Sequence, residues 1–232
     1  VFGEPDKKEA AMGKTIVITG ANRGIGLAMV QQWCTSGDTV FAACRQPSQA
    51  LLDSGAKVID GVDVGTPDGV MNLKSALGNT PVDVLYNNAG IMCSETVDAM
   101  DFEQIREQFE TNTLGPLRVT MALLENLHEG SKVGLMTSRM GSIADNTSGA
   151  KYGYRISKAG LNAAGKSLAV DLHGRGIAVA ILHPGWVQTD MTGQSGNLTV
   201  DEAASNLIAR MDALTLENSG TFWHSDGSAL PW

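Results

Sequence analysis

The sequence predicts a single doubly wound α/β domain, a parallel seven-stranded sheet flanked by helices. Two observations give that class. Short apolar, β-branched runs alternate with longer stretches of helical periodicity along the chain, the pattern of a parallel sheet covered on both faces. A glycine-rich turn, Thr19-Gly20-Ala21-Asn22-Arg23-Gly24-Ile25-Gly26, joins the first such run to the first helical stretch. No proline- or serine-rich linker interrupts the pattern, so residues 12–232 are expected to form one domain.

The elements follow in order. Residues 15–19 are apolar and β-branched and read as a buried first strand. Residues 25–36 read as a helix ended by Gly37, the residue type best suited to the left-handed turn after a helix. Residues 39–44 and 57–60 give the second and third strands, 68–77 a helix, and 82–86 the fourth strand. Residues 101–127 read as one long helical stretch, bent near Gly115-Pro116 because proline lacks the amide donor and crowds the preceding turn. Residues 132–137 form the fifth strand, 152–173 a long helix, 177–182 the sixth strand, 200–214 a helix and 221–223 the seventh strand. Residues 1–11 are charged, include Gly3 and Pro5, and lack the basic-then-apolar order of a signal peptide. They are expected to be a disordered extension or a cloning remnant.

Composition narrows the function classes. A net charge of −8 argues against nucleic acid or an anionic membrane as partner. No apolar run approaches the ~18 residues that span a bilayer. Cys34, Cys44 and Cys93 are odd in number and contain no CxxC, and the four histidines form no HxxxH. No disulfide framework and no metal site are expected, and a reducing cytoplasm fits best. The oligomeric state is not written in the sequence.

The chemistry concentrates at the ends of the strands. In the glycine turn, Gly20, Gly24 and Gly26 permit a tight turn and a close backbone approach to a pyrophosphate, with Asn22, Arg23 and Ile25 between them. The following helix N-terminus supplies free N–H groups. An enzyme using NAD would place an acidic residue at the end of the second strand to bind the ribose 2′-hydroxyl. Here Cys44 is followed by Arg45. Arg45 and Arg23 are suited instead to the 2′-phosphate of NADPH. Tyr154 and Lys158 lie four apart and share one helix face. An ammonium near a phenol favours the phenolate, so the Tyr154 pKa is expected to fall below its usual ~10. Ser138 lies upstream, directly after the fifth strand. Ser142 competes for the same role, but Ser138 sits at the expected crevice.

These motifs, in this order, resemble the short-chain dehydrogenase/reductase family over essentially all of residues 13–232, and so imply a Rossmann-type domain. The matches are the TGxxxGxG loop at Thr19 to Gly26, Asn87-Asn88-Ala89-Gly90, Ser138, YxxxK at Tyr154 to Lys158, and Pro184-Gly185-Trp186-Val187-Gln188-Thr189. The string Ser138-Arg139-Met140-Gly141-Ser142-Ile143 and the stretch from Asp226 to Trp232 resemble the subgroup of sniffer and the bacterial C-factor proteins. The resemblance implies Tyr154 as catalytic acid, Lys158 as the group that tunes it and holds the nicotinamide ribose, and Ser138 as donor to the substrate carbonyl. It implies Asn112 as the anchor of a water relay to Lys158. Asp63 and Val64 would contact adenine, Asn88, Ala89 and Gly90 would line the cofactor, and Val187 and Thr189, after Pro184 and Gly185, would touch the carboxamide. The implied activity is reduction of a small-molecule ketone, aldehyde or quinone to an alcohol with NADPH. An NAD(P)-binding sensor with little turnover is the alternative, and the intact catalytic set speaks against it.

Four further expectations follow. Met92, Met140, Trp186 and Met191 either line a substrate pocket or simply pack. His183 is structural. The acidic residues between Glu95 and Glu110 form a solvated helix face. Residues 190–198 are a short, polar, mobile lid.

Overall fold

The computed structural model describes residues 13–232, so the extension at 1–11 lies outside the described residues. The elements are β1 (Thr15–Thr19), α1 (Gly24–Thr35), β2 (Thr39–Ala43), α2 (Gln49–Leu52), β3 (Lys57–Ile59), α3 (Pro67–Leu77) and β4 (Val82–Asn87). They continue with α4 (Phe102–Phe109), α5 (Gly115–Ala122), β5 (Leu127–Met136), α6 (Tyr152–His173), β6 (Ala178–His183), α7 (Val200–Asp212) and β7 (Phe222–His224). The seven strands form one sheet in the order β3-β2-β1-β4-β5-β6-β7. Every neighbouring pair is parallel. The expected fold class is therefore the one observed.

Strand alternation sends successive side chains to opposite faces. Val17 points into a core layer shared with Leu73 of α3, Val119 of α5 and Leu161 and Leu168 of α6. Its neighbours Ile16 and Ile18 join Met29 and Trp33 of α1 and Leu207 and Met211 of α7 on the other face. Truncating one such fully buried leucine to alanine costs about 2–5 kcal/mol. Between β1 and β4 the winding reverses direction. That switch point opens a crevice above the carboxyl ends of the strands, where doubly wound sheets bind ligands.

The stretch at 101–127 differs from the single bent helix expected. α4 ends at Phe109, a wide π-turn runs Glu110–Leu114, and α5 begins at Gly115 with Pro116 in its first turn. Pro116 has no N–H to donate backward, so a regular α-helical turn cannot pass through it. The helix then stops at Ala122, and β5 starts at Leu127 rather than at 132. The polar run His128-Glu129-Gly130-Ser131 reads as a turn, yet it continues the strand across a register shift opposite Val82 and Val84. Ser131 makes this tolerable: its hydroxyl accepts from the His128 N–H at 2.9 Å and donates to the Val82 carbonyl at 2.7 Å. It thereby replaces ladder bonds lost at the irregularity.

Candidate active site

The glycine turn at the end of β1 is built for close approach. Gly20 and Gly24 hold φ of 65° and 55°, in the left-handed region. A Cβ on Gly26 would lie 2.3 Å from the Gly20 carbonyl oxygen. α1 has no side-chain N-cap and no acidic residue in its first turn. Its first N–H groups are thus free for an anion. Asn88, after β4, donates to the carbonyls of Thr19 (3.1 Å) and Gly20 (2.9 Å). The Thr19 hydroxyl accepts from the N–H groups of Asn88 and Ala89, both at 3.2 Å. These bonds lock the two strand ends that bound the crevice. Asn22 performs a similar task on the other side: its Oδ1 accepts from the Ser48 N–H, and Ser48 Oγ donates back to the Asn22 carbonyl at 2.9 Å. The glycine turn is in this way fixed to the loop after β2. The free helix end and the glycine cradle fit a dinucleotide.

The remaining cofactor-side residues take distinct places. Asp63 Oδ1 accepts from the Gly65 N–H at 2.9 Å, and Val64 is buried where a Cβ on Gly115 would crowd it. Ile25 is partly buried against the core layer of α1 and α7. Gly185 holds φ of 94°, and a Cβ there would lie 2.7 Å from Leu198 Cδ1. The Pro184 carbonyl accepts from Ser225 Oγ at 2.9 Å. Val187 is buried and pairs with Leu198. Thr189 faces the glycine turn, with its methyl 3.7 Å from the position of a Cβ on Gly24. Arg45 is exposed just past β2 and forms no ion pair among the described residues. Arg23, by contrast, pairs with Asp190 at 2.9 Å, both side chains well exposed. Such a pair is worth at most about 1 kcal/mol, so an incoming phosphate could displace it.

Ser138, Tyr154, Lys158 and Asn112 converge at the mouth of β5, and all four are buried. Ser138 caps the short 3-10 turn Arg139–Gly141, accepting from the Met140 N–H at 3.1 Å. Its hydroxyl stands beside the Tyr154 phenol, near enough to act on its pKa. Lys158 Nζ donates to the Met136 carbonyl at 2.8 Å and lies 5.7 Å from the centre of the Tyr154 ring. Burial lowers the Lys158 pKa to about 7. Burial likewise pushes the Tyr154 phenol up, with the neighbouring Ser138 hydroxyl acting in the opposite direction. The expected lowering of Tyr154 is thus corrected. Loss of hydration outweighs the neighbouring amine, which burial itself drives toward neutrality. Tyr154 is accordingly a protonated donor at neutral pH.

Asn112 lies in the π-turn. Its Oδ1 accepts from the Ile91 N–H and its Nδ2 donates to the Ile91 carbonyl, both at 2.8 Å, and to Ser157 Oγ at 3.0 Å. It therefore braces the segment after β4 against α6. Gly90 supplies the necessary room, since a Cβ there would stand 3.1 Å from Asn112 Oδ1 and 3.5 Å from Lys158 Nζ. Ser142 has a different task. It donates to the Trp232 carbonyl at 3.1 Å and accepts from the Asp145 N–H at 3.1 Å.

Two expectations need correction here. Glu95 is not on a solvated face: it is 2% exposed and bonds the N–H of Gly153 at the start of α6. Its partner Gln108 is fully buried and has no motif around it. One cue was present, the glycine directly before Tyr154, a sign of close approach inside a helix. The lid at 190–198 is also more tied than expected. Thr192 Oγ1 donates to the Val187 carbonyl at 2.6 Å, and the Asn197 N–H donates to that of Trp186 at 2.8 Å.

Comparison with known proteins places the chain. Residues 14–198 match the family model described as short chain dehydrogenase. The chain belongs to this family of oxidoreductases. A Rhodococcus sp. (strain AD45) protein named 1-hydroxy-2-glutathionyl-2-methyl-3-butene dehydrogenase is 43% identical over 224 residues, covering 94% of this chain and 99% of its own. The solved carbonyl reductase Sniffer of D. melanogaster is 32% identical with a TM-score of 0.86, covering 95% of this chain and all of its own. The NADPH-bound carbonyl reductase from chicken fatty liver is 29% identical with a TM-score of 0.86, covering 95% and 99%. The resemblance to the sniffer subgroup therefore holds at the level of structure. No described helix is long and apolar enough to cross a membrane, and no described cluster of His, Cys, Asp and Glu could hold a metal.

Proposed function

We propose that the chain is an NADPH-dependent carbonyl reductase that converts a ketone, aldehyde or quinone to an alcohol. The observation that carries this reading is the buried grouping of Ser138, Tyr154 and Lys158 at the switch-point crevice, with Lys158 Nζ 5.7 Å from the centre of the Tyr154 ring. Gly20, Gly24, Gly26 and the free N–H groups of α1 hold the pyrophosphate. Arg45, with Arg23 released from Asp190, holds the 2′-phosphate. Asp63, Val64, Asn88, Ala89, Gly90, Val187 and Thr189 line the remainder of the cofactor. NADPH, when bound, supplies the hydride.

The chain's own side chains do the rest. Ser138 and Tyr154 each aim an O–H at the carbonyl oxygen, where negative charge develops. Tyr154 delivers the proton as the carbonyl carbon is reduced, its raised pKa keeping that proton in place beforehand. Lys158, with a pKa near neutrality, restores the proton to the phenol. Asn112 holds the segment that brings Lys158 and the cofactor together.

The chicken enzyme's bound NADPH and the two neighbours' naming as carbonyl reductases support this reading. The Rhodococcus relative is named for a hydroxy compound, so oxidation of alcohols with NADP+ belongs in the same assay. The test is oxidation of NADPH with aldehydes, ketones and quinones, monitored at the nicotinamide absorbance. No turnover above a Tyr154→Phe control, with cofactor bound, would favour a cofactor-binding protein over an enzyme.

A further inference from the structure

We infer that Glu95 and Gln108 are positioning residues for this reaction, fixing the first turn of α6, and with it Tyr154, against the segment that follows β4. The inference rests on the reading of Tyr154 as the acid.

Glu95 is a carboxylate at 2% exposure with no cation within ion-pair distance among the described residues. A buried charge of this kind persists only if hydrogen bonds replace its water. Its Oε2 accepts from the Gly153 N–H at 3.1 Å, and its Oε1 accepts from Gln108 Nε2. Its own carbonyl accepts from the Lys151 N–H at 2.8 Å, at the left-handed residue that opens α6. Gln108 is fully buried and fully used: Oε1 accepts from the Cys93 N–H at 2.9 Å, and Nε2 donates also to the Gln104 carbonyl at 3.1 Å.

This arrangement repeats the brace made by Asn112. Gln108 and Asn112 are four apart in sequence, and so are Gly153 and Ser157 on α6. Asn112 reads the backbone of Ile91 and reaches Ser157. Gln108 reads the backbone of Cys93 and reaches Gly153 through Glu95. Each rung ties the same three elements, and Tyr154 sits on the turn between the two. Gly153 is required by the upper rung, because a Cβ there would lie 2.3 Å from Gln108 Nε2 and 3.0 Å from Ile105 Cα.

The groups facing the two Glu95 oxygens are both donors. A carboxylate accepts at both oxygens, whereas an amide accepts at one and donates at the other. Glu95→Gln must therefore break one bond of the rung while preserving shape. The double variant Glu95→Gln/Gln108→Glu restores the match across the rung. The amide nitrogen introduced at position 95 would donate to the carboxylate introduced at position 108, which would still accept from the Cys93 N–H. The Gln104 carbonyl, within α4 itself, loses its donor and faces a carboxylate oxygen instead, so the rescue is partial.

The experiment compares parent, Glu95→Gln, the double variant, Tyr154→Phe and, as a control on an exposed carboxylate of α4, Glu103→Gln. Turnover is read with NADPH and 4-nitrobenzaldehyde, NADPH affinity by fluorescence titration, and amide exchange at Gly153, Cys93 and Leu161 by NMR. Displacement of an acid by a fraction of an ångström predicts a loss of kcat of about tenfold or more in Glu95→Gln. NADPH affinity and Glu103→Gln turnover are expected within twofold of the parent, and the double variant is expected to recover a clear part of the loss. Exchange at Gly153 or at Cys93, whichever amide loses its acceptor, is expected to quicken at least tenfold in Glu95→Gln while Leu161 is unchanged. Unchanged exchange at both Gly153 and Cys93 overturns the inference, whether or not this aldehyde is turned over. So does a kcat within twofold of the parent while Tyr154→Phe is inactive, or a double variant no better than the single. If Tyr154→Phe itself keeps the parent's rate, the reading of Tyr154 fails instead, and that result is separable from the others.

Discussion

Ser138 and Ser142 lie four residues apart, are both nearly buried, and are predicted to fail in opposite ways. Ser138→Ala removes the hydroxyl that stands beside the Tyr154 phenol and would donate to the developing alkoxide. Loss of one donor of that type costs roughly 10²- to 10³-fold in kcat. It also removes the cap on the Met140 N–H, a single part-buried bond worth about 1 kcal/mol, so its stability loss should be the smaller of the two. Ser142→Ala removes two hydrogen bonds, to the Trp232 carbonyl and from the Asp145 N–H, at a site 2% exposed. At about 1 kcal/mol per bond, the loss is roughly 2 kcal/mol. For a chain of this size that lowers Tm by about 4–8 °C. The assay pairs NADPH oxidation with thermal unfolding for both variants. The expected outcome is a crossed pattern, activity lost mainly in one and stability mainly in the other. A Ser142→Ala variant that loses more activity than Ser138→Ala would refute the assignment.

Other outcomes follow from the same geometry. Arg45→Asp should lower kcat/KM for NADPH by tenfold or more and leave NADH unchanged or improved, because one exposed charge-assisted contact becomes a repulsion; a ratio insensitive to Arg45 would show that the 2′-phosphate lies elsewhere. Gly153→Ala should lower Tm by several degrees, since its Cβ would overlap Gln108 Nε2 and overpacking costs about 1–3 kcal/mol; calorimetry checks this. Lys158 carries a pH signature. Its pKa falls from 10.5 unfolded to about 7 folded, so between those values the unfolded chain binds more protons and stability rises with pH. The stability advantage of Lys158→Met over the parent should therefore be largest at or below pH 7 and shrink toward pH 10, measured by denaturant unfolding without added cofactor. An advantage independent of pH would show that Lys158 is not desolvated.

Much of this was legible because local chemistry and global fold agree. The β1 run Ile16-Val17-Ile18 has no polar residue to place and reads directly as a buried strand. The glycine turn, Arg45 and the Tyr154–Lys158 spacing are local strings whose geometry follows from their own backbone. What stayed hidden depends on partners far away in sequence. Glu95 looks like any surface acid until Gln108 and Gly153, 13 and 58 residues on, are packed around it. The early start of β5 rests on Ser131 repairing an irregularity opposite Val82. The π-turn at Asn112 follows from Pro116, which the sequence marked as a bend without showing how the turn before it would widen. The upward shift of Tyr154 was invisible for a related reason: charge spacing can be read from a helix pattern, but desolvation cannot.

The most direct test of the central claim is single-turnover oxidation of enzyme-bound NADPH by 4-nitrobenzaldehyde, compared between the parent and Tyr154→Phe at matched cofactor occupancy. Loss of a positioned proton donor predicts a rate lower by roughly 10²- to 10⁴-fold in the variant, with NADPH binding within a few-fold of the parent. Rates within a few-fold of one another, at equal occupancy, would contradict the assignment of Tyr154 as the acid.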